Sequence, residues 1–290
     1  MYEYKTIADL VRLADQYNIS VSDVVIRREM EEHETSEQEI RQMMDAHIEA
    51  SRASVKEGLE DTSRSMSGLT GNDSRTLRDR EPNFLGETAK RAMAYAVAVA
   101  EGNGKMRRIV ACPTAGSCGI VPGVVFAVGE MENADKEAYQ TAYFTAAGIG
   151  AVIARNASVA GAVGGCQAEC GSAAAMAAGA AVAMIGGTAK QIEQAVAICL
   201  KNVLGLVCDP VAGLVEVPCV KRNGMYAVHA LSAAEMAMAG VESFIPVDEV
   251  IQAMDAIGRA IPASLRETAD GGLAKTPTGQ AAWCRISGGK

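Results

Sequence analysis

Apolar residues near the start of the chain recur at the spacing of an amphipathic helix. Asn18 then marks a break, Ser22 is predicted to open a second helix, and Ser36-Glu-Gln-Glu39 resembles a capping box in front of a third. This charge-rich region, residues 1–60, is therefore predicted to be an N-terminal helical arm or subdomain. The apolar positions of its first helix are Ile7, Leu10, Val11 and Ala14.

The composition changes after residue 60. Between residues 61 and 82 the chain is rich in Ser, Gly, Thr, Asn and Asp, which is typical of a loop. From Phe84 onwards, segments rich in Ala and Met alternate with Gly and Pro breaks, and no stretch alternates for long like a half-buried strand. We therefore predict an all-α fold in which residues 61–290 form a multi-helix domain. Its helices are Ala/Gly-rich and buried, and its functional residues lie in the interhelical loops.

Composition and charge exclude several classes of function. The formal net charge is −8, with 27 Lys+Arg against 35 Asp+Glu, so the chain lacks the basic field that binds nucleic acid. Its longest apolar stretches, such as residues 172–187, are too short and too rich in Ala and Gly for a membrane span. The first residues lack a signal-peptide pattern. We expect a cytoplasmic protein that binds neither nucleic acid nor membrane.

Eight cysteines in a reducing compartment are expected to be free thiols, some of which could bind metal. Cys166, Cys208 and Cys219 each lie at a Gly- or Pro-marked break, where thiolates converge most readily. Their spacing matches neither a zinc finger nor a ferredoxin run. Cys199 lies in a helical pattern of apolar residues and is interpreted as a core residue. Cys170 lies one turn after Cys166 on the same helix face, and for it both interpretations, metal ligand and core residue, are kept.

Two groups of hydroxyl side chains are candidates for binding a small polar ligand. Residues 113–117 run into a helix predicted over residues 119–127, whose N-terminal N–H groups and dipole favour an anion. Thr114 and Ser117 are the predicted donors to a carboxylate. The alternative is an ordinary turn whose hydroxyls cap the helix. A second hydroxyl cluster has the same status: Ser65, Ser67 and Thr70.

Several segments together resemble the α subunit of the bacterial, two-chain, iron-sulfur-dependent L-serine dehydratases. Their order and spacing make the resemblance specific, and it covers about residues 61–240. Where the family usually has Thr-Gly-Gly-Asp, this chain has Asn72 as the third residue, and Asn tolerates a left-handed backbone. The segments are SMSGLTG (65–71), CPTAGSCG (112–119), GGCQAECG (164–171), CDPVAG (208–213) and VPCVKRN (217–223).

The resemblance implies an enzyme that converts L-serine to pyruvate and ammonia. It implies a [4Fe-4S] cluster held by Cys166, Cys208 and Cys219, with one iron open to the substrate, so that residues 61–290 would be the iron-sulfur catalytic domain. It also implies a separate β subunit and an αβ hetero-oligomer, since the small α/β domain of single-chain relatives has no counterpart here. The residues expected to bind substrate are Ser65, Ser67, Thr70, Thr114, Ala115, Gly116 and Ser117.

The sequence leaves several candidates for the catalytic base. His33 and His47 lie in the charged arm and are interpreted as solvated surface. Lys221 and His229 are weak candidates, and the partner chain could supply the base instead. In relatives of this family a cysteine near the C-terminus can occupy the open iron, which makes Cys284 the candidate for a fourth, resting ligand; the alternative is that it packs the tail onto the helices.

Two other classes of protein compete with this interpretation. A pyridoxal phosphate enzyme would need a Schiff-base lysine and a phosphate loop in an α/β setting, which the helical pattern disfavours. A non-catalytic helical scaffold subunit, closed by a structural zinc site, is the alternative from a different class. The three differ in visible absorbance, which is broad and brown for a cluster, yellow for pyridoxal phosphate and absent for zinc.

Overall fold

The computed structural model describes residues 2–288, and within them the regular structure is entirely helical. The one extended pairing in this range is an isolated bridge between Cys208 and Arg266. The prediction of an all-α fold is confirmed. The helices are α1 (Ile7–Tyr17), α2 (Val21–His33), α3 (Glu37–Glu60), α4 (Asp73–Arg78), α5 (Glu87–Gly104), α6 (Ile120–Glu132), α7 (Lys136–Asn156), α8 (Gly161–Gly164), α9 (Ser172–Met184), α10 (Ala189–Lys201), α11 (Cys219–Met238), α12 (Val247–Ala260) and α13 (Pro277–Ile286).

Local sequence signals set the boundaries of the first three helices. Ser36 makes both hydrogen bonds of the predicted capping box, and Asn18 ends α1 in the left-handed conformation. The predicted start of α2 at Ser22 is wrong. The cap is Ser20, whose hydroxyl accepts the N–H of Asp23 while the Asp23 carboxylate accepts the Ser20 N–H. Ser20 and Asp23 have the three-residue spacing of a capping box, and this signal identifies Ser20 as the cap.

The segment predicted as a loop over residues 61–82 contains the short helix α4, and this is a correction. Its N-terminus is held by the buried carboxylate of Glu101, which accepts the backbone N–H of Asp73 at 2.7 Å and the hydroxyl of Ser74 at 2.7 Å. Because the cap comes from α5, 28 residues away along the chain, the local sequence did not reveal it. Asn72 precedes α4 with φ 68°, the left-handed conformation expected for it.

The centre of the molecule is α9, where every residue from Ser172 to Val182 is buried. Helices α6, α7, α10 and α11 pack around it, and its Ala and Gly side chains allow them to approach closely. The N-terminal helices cover this bundle, with α1 against α10, α2 against α7 and α3 against α5. Among residues 2–288, no helix is both long enough and apolar enough to cross a membrane.

Candidate active site

Cys166 stands at a helix N-terminus, as the Gly-Gly sequence in front of it predicted. It precedes the π-helical turn Gln167–Gly171, which continues directly into α9. The Gln167 side chain is fully buried, and its Oε1 accepts the backbone N–H of Gly205 at 2.9 Å. This bond ties the turn that carries Cys166 to the loop that leads into Cys208.

Cys208 and Cys219 lie at the breaks where the sequence placed them. The Cys208 N–H donates to the carbonyl of Leu265 at 2.9 Å, and the N–H of Glu267 donates to the Cys208 carbonyl at 2.7 Å. Cys219 is the first residue of α11, directly after Pro218. Each predicted ligand is therefore fixed by the backbone of a different segment.

The three predicted ligands are buried free thiols. They are close enough for a charge on Cys166 to affect the pKa of the other two. Burial, followed by the negative charge of Cys166, raises the pKa of Cys219 to about 12 and also raises the pKa of Cys208. The pKa of Cys166 is lowered instead, because the Cys170 thiol donates a hydrogen bond to its sulfur and the Arg222 guanidinium lies beside it. Of the three predicted ligands, Cys166 is the one whose surroundings favour loss of the thiol proton.

Arg222 is the cation of this site and is itself firmly held. Its guanidinium donates to the carbonyl of Val207 at 2.9 Å and to the carboxylate of Asp209 at 3.0 Å. The second oxygen of Asp209 accepts the N–H of Leu273 at 2.8 Å. Because Arg222 and Asp209 are largely buried, this pair fixes a positive charge next to the Cys166 sulfur.

The donor atoms of the site suit a metal group. The ligand atoms of Cys166, Glu169 and Cys170 all lie within 4.8 Å of one another, close enough to hold a metal ion together. Beside them, a Cβ on Gly161 would lie 3.1 Å from the Cys208 sulfur and 3.4 Å from a Glu169 oxygen, so the Cys208 sulfur lies close to this group of ligand atoms. A buried, sulfur-rich donor set favours soft metals and iron-sulfur clusters.

The loop predicted to bind a carboxylate is joined to the cysteine site by Asn223. This fully buried side chain accepts the N–H of Gly119 at 2.9 Å and donates to the carbonyls of Gly116 at 2.8 Å and Cys219 at 2.9 Å. Residues 112–119 therefore lie directly against the start of α11. The helix that follows them is α6, which begins at Ile120 and runs beyond the predicted residue 127 to Glu132.

Within this loop, the predicted donors have protein partners. Thr114 donates its hydroxyl proton to Oε1 of Glu169 at 2.5 Å, and the Ser117 hydroxyl lies 3.0 Å from Thr114 Oγ1 and 3.3 Å from the carbonyl of Cys112. The backbone N–H of Gly116 also donates to Glu169, whose pKa is raised by burial. The loop thus surrounds a carboxylate of the chain itself.

In the second hydroxyl cluster, too, the side chains donate hydrogen bonds to a buried carboxylate of the chain. The hydroxyls of Ser65 and Ser67 donate to the buried carboxylate of Glu216 at 2.5 Å and 2.8 Å. Thr70 is also buried, and its hydroxyl has no hydrogen-bond partner within residues 2–288. The three predicted residues therefore lie together beside Glu216, which comes three residues before Cys219 in the chain.

The weak candidates for the catalytic base have partners elsewhere. Lys221 is exposed and forms an ion pair with Asp73 at 2.7 Å. His229 is half-buried, and its Nε2 lies 2.9 Å from the backbone carbonyl of Cys199. The Cys199 thiol is fully buried in the main core, as predicted.

Cys284 lies in α13, an ordered helix rather than an irregular tail. Its side chain is exposed and borders a cavity of about 540 Å³ that is also lined by Trp283 and Ala212. The guanidinium of Arg285 donates to the carbonyl of Ser67 at 3.3 Å, which places this helix next to the second hydroxyl cluster.

Sequence reasoning missed four side chains that organise the site. They are the carboxylates of Glu169 and Glu216, the guanidinium of Arg222 and the amide of Asn223. All four fall within or next to the segments that carry the cysteines, and a charged or amide side chain is costly to bury in such apolar surroundings unless it is paired or hydrogen-bonded. That contrast was the signal available in the sequence.

Comparison with known proteins identifies the family. The family model described as "Serine dehydratase alpha chain" matches residues 16–274. The chain is 50% identical over 289 residues to the "Probable L-serine dehydratase, alpha chain" of Bacillus subtilis (strain 168), covering 99% of this chain and 96% of that protein. It is 43% identical over 278 residues to the "L-serine dehydratase, alpha chain" of Peptoniphilus asaccharolyticus, covering 95% of each. A longer relative, the "L-serine dehydratase" of Streptomyces coelicolor, is 38% identical over 94% of this chain and 61% of its own length. The chain belongs to the serine dehydratase alpha chain family.

Proposed function

We propose that this chain is the catalytic α subunit of an iron-sulfur L-serine dehydratase, an L-serine ammonia-lyase that forms pyruvate and ammonia. The observation that carries the proposal is the convergence of cysteines from three segments beside a loop that Asn223 joins to Cys219. The names of the relatives agree with this activity.

The proposed cofactor is a [4Fe-4S] cluster held by Cys166, Cys208 and Cys219. The Arg222 guanidinium beside the Cys166 sulfur, and the position of the Cys208 sulfur close to Glu169 at Gly161, support this ligand set. When bound, the cluster supplies a Lewis acid toward the serine hydroxyl, which is otherwise a poor leaving group. Residues 61–290 would then form the catalytic domain, with residues 1–60 as a helical arm on it.

The residues of the chain bind and orient the substrate. We assign this role to the two loops, because the hydroxyls of Ser65 and Thr114 donate to buried carboxylates and the Asn223 amide holds the carbonyl of Gly116. The reaction removes a proton from Cα and hydroxide from Cβ, and the resulting enamine tautomerises and hydrolyses to pyruvate and ammonia. The assigned residues are Ser65, Ser67, Thr70, Thr114, Ala115, Gly116 and Ser117.

We propose that the base comes from a β subunit within a cytoplasmic αβ hetero-oligomer. The contacts of Lys221 and His229 are to Asp73 and to the Cys199 carbonyl, which leaves no convincing base among the candidates in this chain. The relatives that match this chain over almost their whole length are named alpha chains, which supports a partner chain.

Anaerobic reconstitution of the purified chain with ferrous iron and sulfide tests the cofactor. We expect broad brown absorbance together with about four irons per chain, the stoichiometry of a [4Fe-4S] cluster. The alternative function, a zinc-dependent helical scaffold subunit, predicts a colourless protein that retains zinc. A preparation that takes up no iron and binds zinc tightly at the same cysteines would contradict the proposal.

Cys284 is proposed as the fourth ligand of the resting cluster. We expect Cys284→Ala to keep the iron but to lose its brown absorbance faster in air, because the open iron would lack its thiolate. The measurement is the decay of visible absorbance with time, and Trp283→Leu is the control for packing of the same helix. A Cys284→Ala lifetime equal to that of the unsubstituted protein would assign Cys284 to packing alone.

A further inference from the structure

Gln167 follows Cys166 directly in the chain and makes three tertiary hydrogen bonds. Besides the bond from the Gly205 N–H to its Oε1, its Nε2 donates to the backbone carbonyl of Met254 in α12 at 2.9 Å. Its own backbone N–H donates to the carbonyl of Leu206 at 3.1 Å. One residue therefore joins the turn in front of α9 to two segments that are distant in the chain.

Both of these segments lead to Cys208. Gly205 and Leu206 come immediately before it in the chain. The other segment, α12, continues into residues 265–267, which bond to the backbone N–H and carbonyl of Cys208. Gln167 thus contacts the chain that enters Cys208 and the helix that leads to its backbone partners.

The face of α12 that meets Gln167 is accessible because Gly258 has no side chain. Gly258 lies one turn after Met254, on the same helix face. A Cβ on Gly258 would lie 2.8 Å from Gly164 Cα and 3.2 Å from Gln167 Nε2, so the helix or the turn would have to shift. Glycine at this position lets the turn that carries Cys166 lie directly against α12.

The amide of Gln167 is fully buried, which is costly unless its donor and its acceptor both have partners. Gln167 meets this condition with one partner from each of two segments. A methionine would fill a similar space without this requirement. Buried polar groups whose hydrogen bonds are all made rigidify their surroundings and define one arrangement of the segments that they join.

We propose that Gln167 is a positioning residue that holds Cys166 and Cys208 at the spacing that the metal group needs. This inference rests on the proposed function, in which both cysteines are ligands of one cluster. Gln167 acts through the backbones of the two ligand segments, which it fixes before the cluster binds. Loss of a residue that supports metal ligands in this way typically weakens metal binding about tenfold to a hundredfold.

Gln167→Met tests this role, because methionine has a similar length and makes neither amide bond. The first measurement is the rate at which iodoacetamide alkylates each thiol of the reduced, metal-free, full-length chain, resolved by mass spectrometry. We expect Cys166 and Cys208 to react about tenfold faster, because loss of buried hydrogen bonds lets their segments open more often. Cys199, buried in the main core, should react at an unchanged rate.

The second measurement is the rate at which the reconstituted protein loses its visible absorbance to an iron chelator without air. We expect this rate to rise about tenfold in Gln167→Met. The matched control is Gln194→Met, which changes a buried glutamine on α10 whose Oε1 accepts the N–H of Ser243 at 2.6 Å. This control should change neither rate. Gly258→Ala, which forces α12 and the turn apart, should reproduce both increases and serves if Gln167→Met does not fold.

Unchanged alkylation of Cys166 and Cys208 in Gln167→Met and Gly258→Ala would overturn the proposal. An equal increase at Cys199, or in Gln194→Met, would also overturn it, since it would indicate a general loss of stability. The same holds if alkylation became faster while the rate of cluster loss did not change. An unsubstituted protein that takes up no cluster would instead refute the proposed function, and the alkylation rates would still decide whether Gln167 positions the cysteines.

Discussion

Replacing Cys166, Cys208 or Cys219 with serine should each reduce serine dehydratase activity to background and remove the brown absorbance. A serine hydroxyl is a hard, weakly acidic donor that does not replace a thiolate in an iron-sulfur cluster. The three cysteines come from three separate segments, so no neighbouring thiol on the same segment can replace Cys208 or Cys219. Iron content, visible spectrum and pyruvate formation after reconstitution are the measurements.

Two further cysteines make this experiment specific. Cys199→Ala removes a fully buried thiol from the main core and should leave iron and activity intact, at a modest cost in stability. Cys170→Ala is the sharper control, because Cys170 contacts Cys166 but lies outside the proposed ligand set. Full iron content in Cys166→Ser, Cys208→Ser or Cys219→Ser would refute that set. Loss of iron in Cys170→Ala would add Cys170 to it.

The second large effect concerns the partner chain. The reconstituted α chain alone should turn over serine at least about 10²-fold more slowly than the same chain with its β subunit, the range expected when a general base is missing. The physical basis is that Lys221 is exposed in an ion pair and that His229 is bound to a backbone carbonyl of the core. Initial rates of pyruvate formation, measured with and without the β subunit, test this.

Iron content is the necessary control for that comparison. It should be the same with and without the β subunit, which would assign the change in rate to catalysis and not to assembly of the cluster. If the pure, fully loaded α chain reached the rate of the complex, the base would have to lie in this chain, and the partner would be dispensable for the chemistry.

Helix α9 shows which features of the fold could be predicted from composition. A run of Ala and Gly predicted buried helices that approach closely, and the structure buries residues 172–182 completely. By contrast, α4 was missed, because its N-terminus is capped by Glu101 from another helix and not by a residue of its own segment. Sequence patterns therefore predicted the helices that are determined by nearby residues, and missed the one that depends on a distant residue.

The sequence by itself determined the helical class, the positions of Cys166, Cys208 and Cys219 at breaks between helices, and the family. Periodicity and Gly or Pro breaks act over a few residues, so they can be read without a structure. Only the tertiary structure decided that Glu169 meets Thr114, 55 residues away along the chain, and that Asn223 meets Gly116, 107 residues away. Such bonds depend on how the helices pack around α9, because a buried carboxylate or amide takes whichever partner that packing brings within hydrogen-bond distance.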